Sequence, residues 1–570
     1  MKSPRQIDCW RDRLLCGTLI SVYLLWGWFY WRPIVPLAKP DEALHLVYVA
    51  DIRQGTLWPQ MHTPLEPPFV MDERCQPPLY YWLTALLSGS GPLRLPGEWI
   101  TENPFFCSSP GNGGRYLALA GDAAVVAMLR YLSLLWGVIG LCGVHLGARA
   151  WRGRGTATLA ALAAATLPTA LFVQTAINNT ALLVAFNALA LAEFSWAWTD
   201  GLTPRRARRL ALLLPLAIYT RLEGLILLVP LTLLLGRELV RRRLSRPVLI
   251  PLLIGGLACA PLFIHNVLLY HDPLASACLT LRPTPLTLTA WWQGEAAGFA
   301  RAILVTLGEC YVFASDGIYY AIAVVLLLGF LGWLRKGARP TVAWGLLSYT
   351  VALVALTVQG TLRYIAGGPR YIGTYGAAWL TLWAVGWVRL WPRAGRRLAA
   401  AGGVLLCWAL SMAVILHLLI PVYVPPAAAV RAGSPVAQFD EGIILQSATV
   451  APVTPHPGDT VTVQLTWQAT RPVSQNYVVF VHVVPADAEQ PIAQRDTHPF
   501  NGNYPTSWWQ PGRPFVDTYR LPLPPETQGP FTITVGLYRF ETQARLAAAD
   551  VAGVRFRNDA VPVAVLTVTP

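Results

Sequence analysis

"LALLLPLAIYTRLEGLILLVPLTLLL", residues 210–235, is an apolar stretch with an arginine and a glutamate, Arg221 and Glu223, near its centre. Basic clusters stand at both ends, Arg205, Arg206, Arg208 and Arg209 before it and Arg237, Arg241, Arg242 and Arg243 after it. If positively charged loops stay on one side of a membrane, this stretch enters the bilayer and returns to the same side. It reads as two short helices that turn at residues 220–224, and the direction of every other span depends on that reading.

The rest of the chain fits a membrane. Of its 570 residues 54% are hydrophobic and only 13% charged, with a mean hydropathy of +0.44, outside the range of an ordinary soluble domain. The 23 Trp and 21 Tyr suit long bilayer interfaces, where amphipathic rings are favoured at headgroup depth. The net charge of +14 is carried in short clusters between apolar runs, with no nucleic-acid-binding motif. The charge therefore speaks of membrane topology and not of a nucleic-acid partner.

Lys2, Arg5, Arg11 and Arg13 precede the first run, 14–30, which at about 1.5 Å per residue crosses most of the hydrocarbon. No small-x-small cleavage site follows it, so a retained anchor is expected. Further runs lie near 125–146, 156–176, 181–198, 248–269, 319–334, 342–358, 371–390 and 402–422. With a return inside 210–235, the basic groups at 149–154, 205–209, 237–246, 336–339 and 389–397 all fall on the side of the N-terminus. The expectation is a polytopic α-helical membrane protein of roughly 11 spans in the plasma membrane, N-terminus cytoplasmic. Segments 32–122 and 271–317, and everything after about 425, then lie outside.

The tail is a different kind of chain. After residue 438 come "TVTVQLTW", "YVVFVHVV", "FTITVGLY" and "VPVAVLTVT", short alternating stretches between Pro, Gly, Asp and Asn. Period-two alternation between turns indicates strands with one buried face. Three parts are expected: a membrane domain over 1–425 with a long outer loop at 32–122, a linker over 426–438, and an extracytoplasmic β-sandwich over 439–570. Most of the nine cysteines fall in or beside spans. Cys75 and Cys107 share the outer loop and suit a disulfide if that side is oxidising, with Cys278 and Cys310 a second candidate pair. No CxxC or HExxH motif marks a zinc site.

The outer loop opens with "KPDEALHLVYVADIRQG", residues 39–55. One reading is a helix start, with Pro40 in the first turn, Asp41 and Glu42 facing the positive end of the dipole, and Gly55 ending the helix. The other adds chemistry. Asp41 and His45 are four apart and Glu42 and His45 three apart, so the three side chains converge on one helical face and can accept a proton, hold a hydroxyl or bind a cation. Two adjacent carboxylates and a His are compatible with a divalent metal on Asp41 and Glu42, or with none.

This segment resembles the "PDExxH" signature of the GT-C membrane glycosyltransferases, including bacterial members filed under a domain of unknown function. Further pieces come in matching order: "CQPPLYYWLTALL" (75–87), "QTAINNTALL" (174–183), "HNVLLYHDPL" (265–274) and "GGPRYIGTYGAAWL" (367–380). The tail's "VVFVHVV", "YPTSWWQPG" and "GLYRFETQARL" resemble the β domain of some bacterial members. Thr180 stands where the family often has Asp, and His265 where it often has Arg.

The resemblance implies transfer of a sugar from a polyprenyl-phosphate donor to a glycan, lipid or protein acceptor at the outer membrane face, with inversion. In that chemistry the lipid phosphate is a good leaving group, so the protein positions the acceptor, takes its proton and stabilises the departing charge. Asp41 is the expected base, Glu42 its partner toward a hydroxyl or metal, and His45 a supporting group. Arg370 with Tyr371, and then Arg363, are the expected phosphate cations; each is equally an interfacial arginine reaching for headgroups. Asp72 and Glu73 line the same outer space or only solvate the loop. Arg221 and Glu223 are functional candidates as intramembrane charges or simply a pair at the buried turn. "NNT" at 178–180 is a glycosylation sequon or, more simply, a helix cap. Asp496, His498, Tyr504, Trp508 and Trp509 are either a glycan platform or turn-packing residues. A transporter or flippase for lipid-linked glycans is the alternative function, and a glycan-binding assembly protein the third; no internal repeat of spans supports transport.

Overall fold

The computed structural model describes residues 4–60, 72–89, 96–108, 113–276, 282–308, 312–335, 340–364, 368–429, 434–486, 488 and 490–568. The chain opens with α1 (Pro4–Trp31) and passes into a long loop that holds α2 (Glu42–Arg53), α3 (Leu79–Leu87) and a two-stranded antiparallel sheet, β1 (Ile100–Glu102) and β2 (Tyr116–Ala118). The helical body continues with α4 (Ala123–Arg152), α5 (Arg154–Thr166), α6 (Pro168–Gln174), α7 (Thr180–Asp200), α8 (Pro204–Thr220), α9 (Leu228–Val240), α10 (Arg246–Leu257) and α11 (Ala260–Tyr270). After α12 (Leu288–Gly294) and α13 (Ala296–Leu304) come α14 (Asp316–Leu331), α15 (Pro340–Arg363), α16 (Pro369–Thr374), α17 (Ala377–Leu390), α18 (Arg396–Val414) and α19 (Ile420–Tyr423).

Among the described residues seven helical stretches are long and apolar enough to cross a bilayer, or eight if α5 and α6, bent by 64° at Pro168, form one span. The chain is an integral membrane protein. The expected count of roughly 11 is not reached by length, because α8, α9 and α17 have 17, 13 and 14 residues. Residues 210–235 do fold as two short helices, α8 ending at Thr220 and a 3₁₀ turn at Leu222–Leu227 leading into α9.

Helices meet where side chains are small, as bilayer packing requires. The α14 and α17 backbones touch at glycines: a Cβ on Gly386 would strike Gly329 O, and one on Gly332 would strike Gly386 O. Trp383 Nε1 donates to Val325 O (3.0 Å) and Trp333 Nε1 to Leu382 O (2.9 Å) across the same seam.

From Ala437 the period-two stretches form strands: β3 (Ala437–Phe439), β4 (Ile443–Ala451), β5 (Thr460–Ala469), β6 (Val478–Pro485), β7 (Ala493–Thr497), β8 (Phe515–Pro522), β9 (Gly529–Tyr538), β10 (Ala548–Ala549) and β11 (Val561–Val568). Two antiparallel sheets, ordered β10-β3-β4-β5-β8 and β11-β9-β6-β7, enclose one core. Val461, Val463, Leu465 and Trp467 face Val479, Val481, Val483, Ile533 and Val535 within it. This is the sandwich that the alternation requires, since one face of each strand must be buried.

We predict that Gly386→Val lowers stability by about 1–3 kcal/mol through overpacking of the α14–α17 seam. Gly402→Ala, where a Cβ meets nothing within 4 Å, is the control and leaves the thermal midpoint of the detergent-solubilised protein unchanged.

Candidate active site

The first loop enters its helix through two left-handed residues, Leu37 (φ 65°) and Asp41 (φ 59°), a region that Asp tolerates and Leu does not favour. Something must hold them, and the holder is Glu42. Its carboxylate, 1% exposed, accepts from Arg130 Nε (2.7 Å), Arg130 Nη2 (2.6 Å), Leu37 N (3.1 Å) and Ile177 N (3.0 Å). Arg130, on α4, also donates to Ile34 O (2.7 Å) and Val35 O (3.1 Å). Lys39 is fully buried beside this pair and donates to Thr175 O (3.0 Å) and Thr175 Oγ1. Burial, then the Arg130 charge, depresses the Lys39 ammonium well below its usual range.

The sequence expectation for this helix is corrected in two respects. The helix starts at Glu42 and not in the turn containing Pro40, because Asp41 is left-handed and makes no side-chain cap. Asp41, Glu42 and His45 therefore do not converge on one face. Glu42 turns to Arg130, while His45 Nδ1 shares a 2.7 Å hydrogen bond with the Tyr81 hydroxyl. Burial, then the nearby Arg221 charge, pushes the His45 imidazole down to about 3, so it is neutral at physiological pH. The C-terminus follows expectation, with α2 ending at Arg53 and Gly55 (φ 103°) completing the turn.

Asp41, outside the helix, acts electrostatically on other groups. Its charge, after burial, is the largest influence raising the Glu73 carboxyl, which is pushed up to about 8, and it also acts on Tyr371. Arg221 stands at the centre of the same group. Its guanidinium donates to Glu223 Oε1 (2.8 Å), Asn179 Oδ1 (3.2 Å), Thr180 Oγ1 (3.1 Å) and the Tyr371 hydroxyl (3.1 Å), and lies 4.5 Å over the Tyr371 ring. Arg370, 8% exposed, adds its charge beside Tyr371, which stacks on Tyr375 at 5.8 Å. Residues 41 and 73, with segments 178–180, 221–223 and 370–375, thus bring three carboxylates and two guanidinium groups together. The Arg221 and Glu223 side chains keep 12% and 27% of their surface open.

The remaining expected residues are placed as follows. Asp72 is taken by Arg74, whose Nη2 lies 2.8 Å from Asp72 Oδ2, and the pair closes the loop beside Asp51. Arg363 is exposed at the end of α15, where its carbonyl accepts from Arg282 N (2.9 Å). In "NNT" Asn178 Oδ1 accepts from Thr180 N (3.0 Å) just ahead of α7, while the N-cap residue Asn179 makes no side-chain cap. His265 lies flat on Trp58, ring centroids 3.8 Å apart. Cys75 and Cys107 are both disulfide-bonded, whereas Cys278 and Cys310 lie outside the described residues. In the tail, Trp509 is in the sandwich core, Tyr504 packs edge-on to Phe515, and the buried His498 is pushed down to about 4. Sequence reasoning reaches Arg221 only as a charge inside an apolar stretch, and it misses Asn179, which accepts from Arg221, and Tyr375, which stacks on Tyr371.

Asp41 and Glu42 do not fit a shared metal, since both Glu42 oxygens are held by Arg130 and backbone amides. Among the described residues no group of three His, Cys, Asp or Glu side chains has metal-binding geometry.

Neither a protein-family profile nor a curated protein sequence matches the chain. Solved structures do. The chain is similar to ArnT from Cupriavidus metallidurans bound to undecaprenyl phosphate, at 16% identity over 70% of this chain and 64% of that one, TM-score 0.42. It is also similar to an Archaeoglobus fulgidus oligosaccharyltransferase in complex with zinc and sulfate (13% identity, 69% and 53% covered, TM-score 0.38). A third is the oligosaccharyltransferase AglB of the same organism with an inhibitory peptide and a dolichol-phosphate (12%, 70% and 56%, TM-score 0.38). The chain spans less than two thirds of the length of each. At these scores the likeness decides nothing about activity, and the residues must carry it.

Two outcomes are expected here. Glu42→Gln or Arg130→Met alone strands a buried partner and costs about 3–5 kcal/mol in denaturant unfolding, while replacing both by Met recovers much of the loss. Glu73 ordinarily titrates near 4.5, so the native state holds a proton that the unfolded chain has released between there and about 8. Relative to Glu73→Gln, the wild type is therefore favoured most below about pH 4.5 and loses that advantage as pH rises through about 8, measured as the difference between the two unfolding profiles.

Proposed function

We propose that the protein is a membrane glycosyltransferase that moves a sugar from a polyprenyl-phosphate donor to an acceptor hydroxyl, with inversion, on the outer face of the membrane. The observation that carries the reading is the meeting of Asp41 and Glu73 with Arg221, Tyr371 and Arg370, from segments far apart in sequence. Acids and guanidinium groups in one partly open place suit a reaction in which a proton is taken while an anion departs.

Asp41 takes the proton of the acceptor hydroxyl as its oxygen attacks the anomeric carbon. The bond from that carbon to the lipid-phosphate oxygen breaks, and the electron pair leaves with the phosphate. Arg370 and Arg221 neutralise the departing charge, and Tyr371, held by Arg221, supplies a hydroxyl beside them. Glu73, protonated at neutral pH, donates a hydrogen bond to the acceptor or to Asp41 without adding a second negative charge. Glu42 acts as the clamp that turns Asp41 toward this place, and neutral His45 backs it through Tyr81. Asp72 supports the loop through Arg74, and Arg363 lies exposed at the end of α15. No metal is required by this arrangement. The disulfide-bonded Cys75 and Cys107 in the first loop support an oxidising side for it, hence a cytoplasmic N-terminus and an extracytoplasmic sandwich.

The test is release of polyprenyl phosphate by purified protein in lipid, across a panel of labelled polyprenyl-phosphate sugars. Wild type is expected to turn over at least one donor, and Asp41→Asn to lose about 100-fold or more in kcat with donor binding retained. Tight binding of lipid-linked glycan with no turnover by wild type would instead favour the flippase reading.

A further inference from the structure

Gly113 and Gly114 are consecutive, buried, and pressed on opposite neighbours. Gly113 N donates to Asn501 O of the sandwich (2.6 Å), and a Cβ on Gly113 would lie 2.6 Å from Gly502 O. A Cβ on Gly114 would strike Leu37 O and lie 2.7 Å from Ala38 Cα, in the turn that leads to Asp41. Neither glycine has a positive φ, so only the close approaches exclude a side chain.

Further contacts run the same way. Trp508 Nε1 donates to Ala118 O (2.9 Å) at the end of β2, and β2 shares one hydrophobic cluster with Ala43, Leu44 and Val47 of α2. Phe105, from the same loop, sits edge-on to His498 and Phe540, each at 6.0 Å, and packs on Phe480 and Tyr538. Asn103 Nδ2 donates to Gly114 O (3.1 Å), and Asn503 Nδ2 to Val422 O (3.1 Å) at the last helix. On the sandwich side, Phe500, Asn501 and Gly502 take positive φ in succession (53°, 55° and 80°). Such a conformation persists only when over-determined, and here Asp517 Oδ2 accepts from Phe500 N (2.9 Å) while Gly502 N donates to His498 O (2.9 Å).

We propose that the sandwich is a positioning part of the active site: through Gly502 and Trp508 it presses the Gly113–Gly114 wedge and β2 against residues 37–47, and so sets the place of Asp41. The proposal rests on Asp41 being the base. It assigns Trp508 to the join between sandwich and loop and leaves the sandwich no necessary part in binding acceptor.

The experiment uses the full chain in lipid nanodiscs, with Gly113→Ala, Gly114→Ala and Trp508→Phe, and measures kcat, donor and acceptor KM, and amide hydrogen exchange over residues 37–53. All three variants are expected to lose about tenfold or more in kcat, with both KM values within about twofold, and to exchange faster over 37–53. A loss in Gly114→Ala alone, with the other two matching wild type, overturns the proposal, as does a raised acceptor KM at unchanged kcat. If wild type turns over no donor, the transferase reading fails by itself. The exchange data still decide the coupling: faster exchange over 37–53 in Gly113→Ala supports it, and unchanged exchange refutes it. Trp508→Phe and Asn503→Ala serve if the Gly113 variant does not fold.

Discussion

The first loop depends on one buried ion pair. Two opposite charges out of water gain from each other only if every lone pair and proton is also engaged, and the Glu42–Arg130 pair meets that condition by recruiting backbone amides at Leu37 and Ile177 and carbonyls at Ile34 and Val35. The consequence is geometric. With Glu42 drawn toward α4, the residue before it is left-handed, and its charge acts on Glu73 and Tyr371. Two adjacent acids of the same chemical type thus meet different surroundings, Glu42 in the buried pair and Asp41 in a left-handed turn beside Glu73.

Much of this architecture was legible in the chain. The basic clusters on both sides of 210–235 required the chain to return to the side it came from, and α8 does stop at Thr220. The alternating stretches of the tail became β5, β6, β9 and β11 because period two permits one dry face and little else. Less legible was which acid does what. Spacing of three and four predicts a shared face only if all the residues are helical, and Asp41 is not. Arg221 could be seen as an intramembrane charge, but its joining of Asn179, Thr180 and Tyr371 depends on three helices meeting, which no local pattern encodes. The number of spans is harder to read for a related reason: an apolar run in sequence does not reveal that the chain bends within it, as at Pro168, or that its helix stops after 14 residues, as in α17.

The aromatic residues of the tail show the same limit. Tyr504, Trp508 and Trp509 look alike as a cluster, yet Trp509 fills the core, Tyr504 packs against Phe515, and Trp508 reaches across to Ala118. The sandwich is therefore joined to the loop that carries the acids by a wedge of two glycines and an indole hydrogen bond. A loop of this length would otherwise sample many conformations, at an entropic cost to any reaction that needs one of them.

The most direct measurement is an experimental structure of the protein with a polyprenyl-phosphonate sugar, a donor analogue that cannot transfer. The account predicts the phosphonate against Arg370 and Arg221, the Asp41 carboxylate facing the anomeric carbon from the side opposite the phosphonate, and Glu42 still on Arg130. A sugar held by Glu42 with Arg130 released, or a phosphonate bound away from Tyr371, would contradict it.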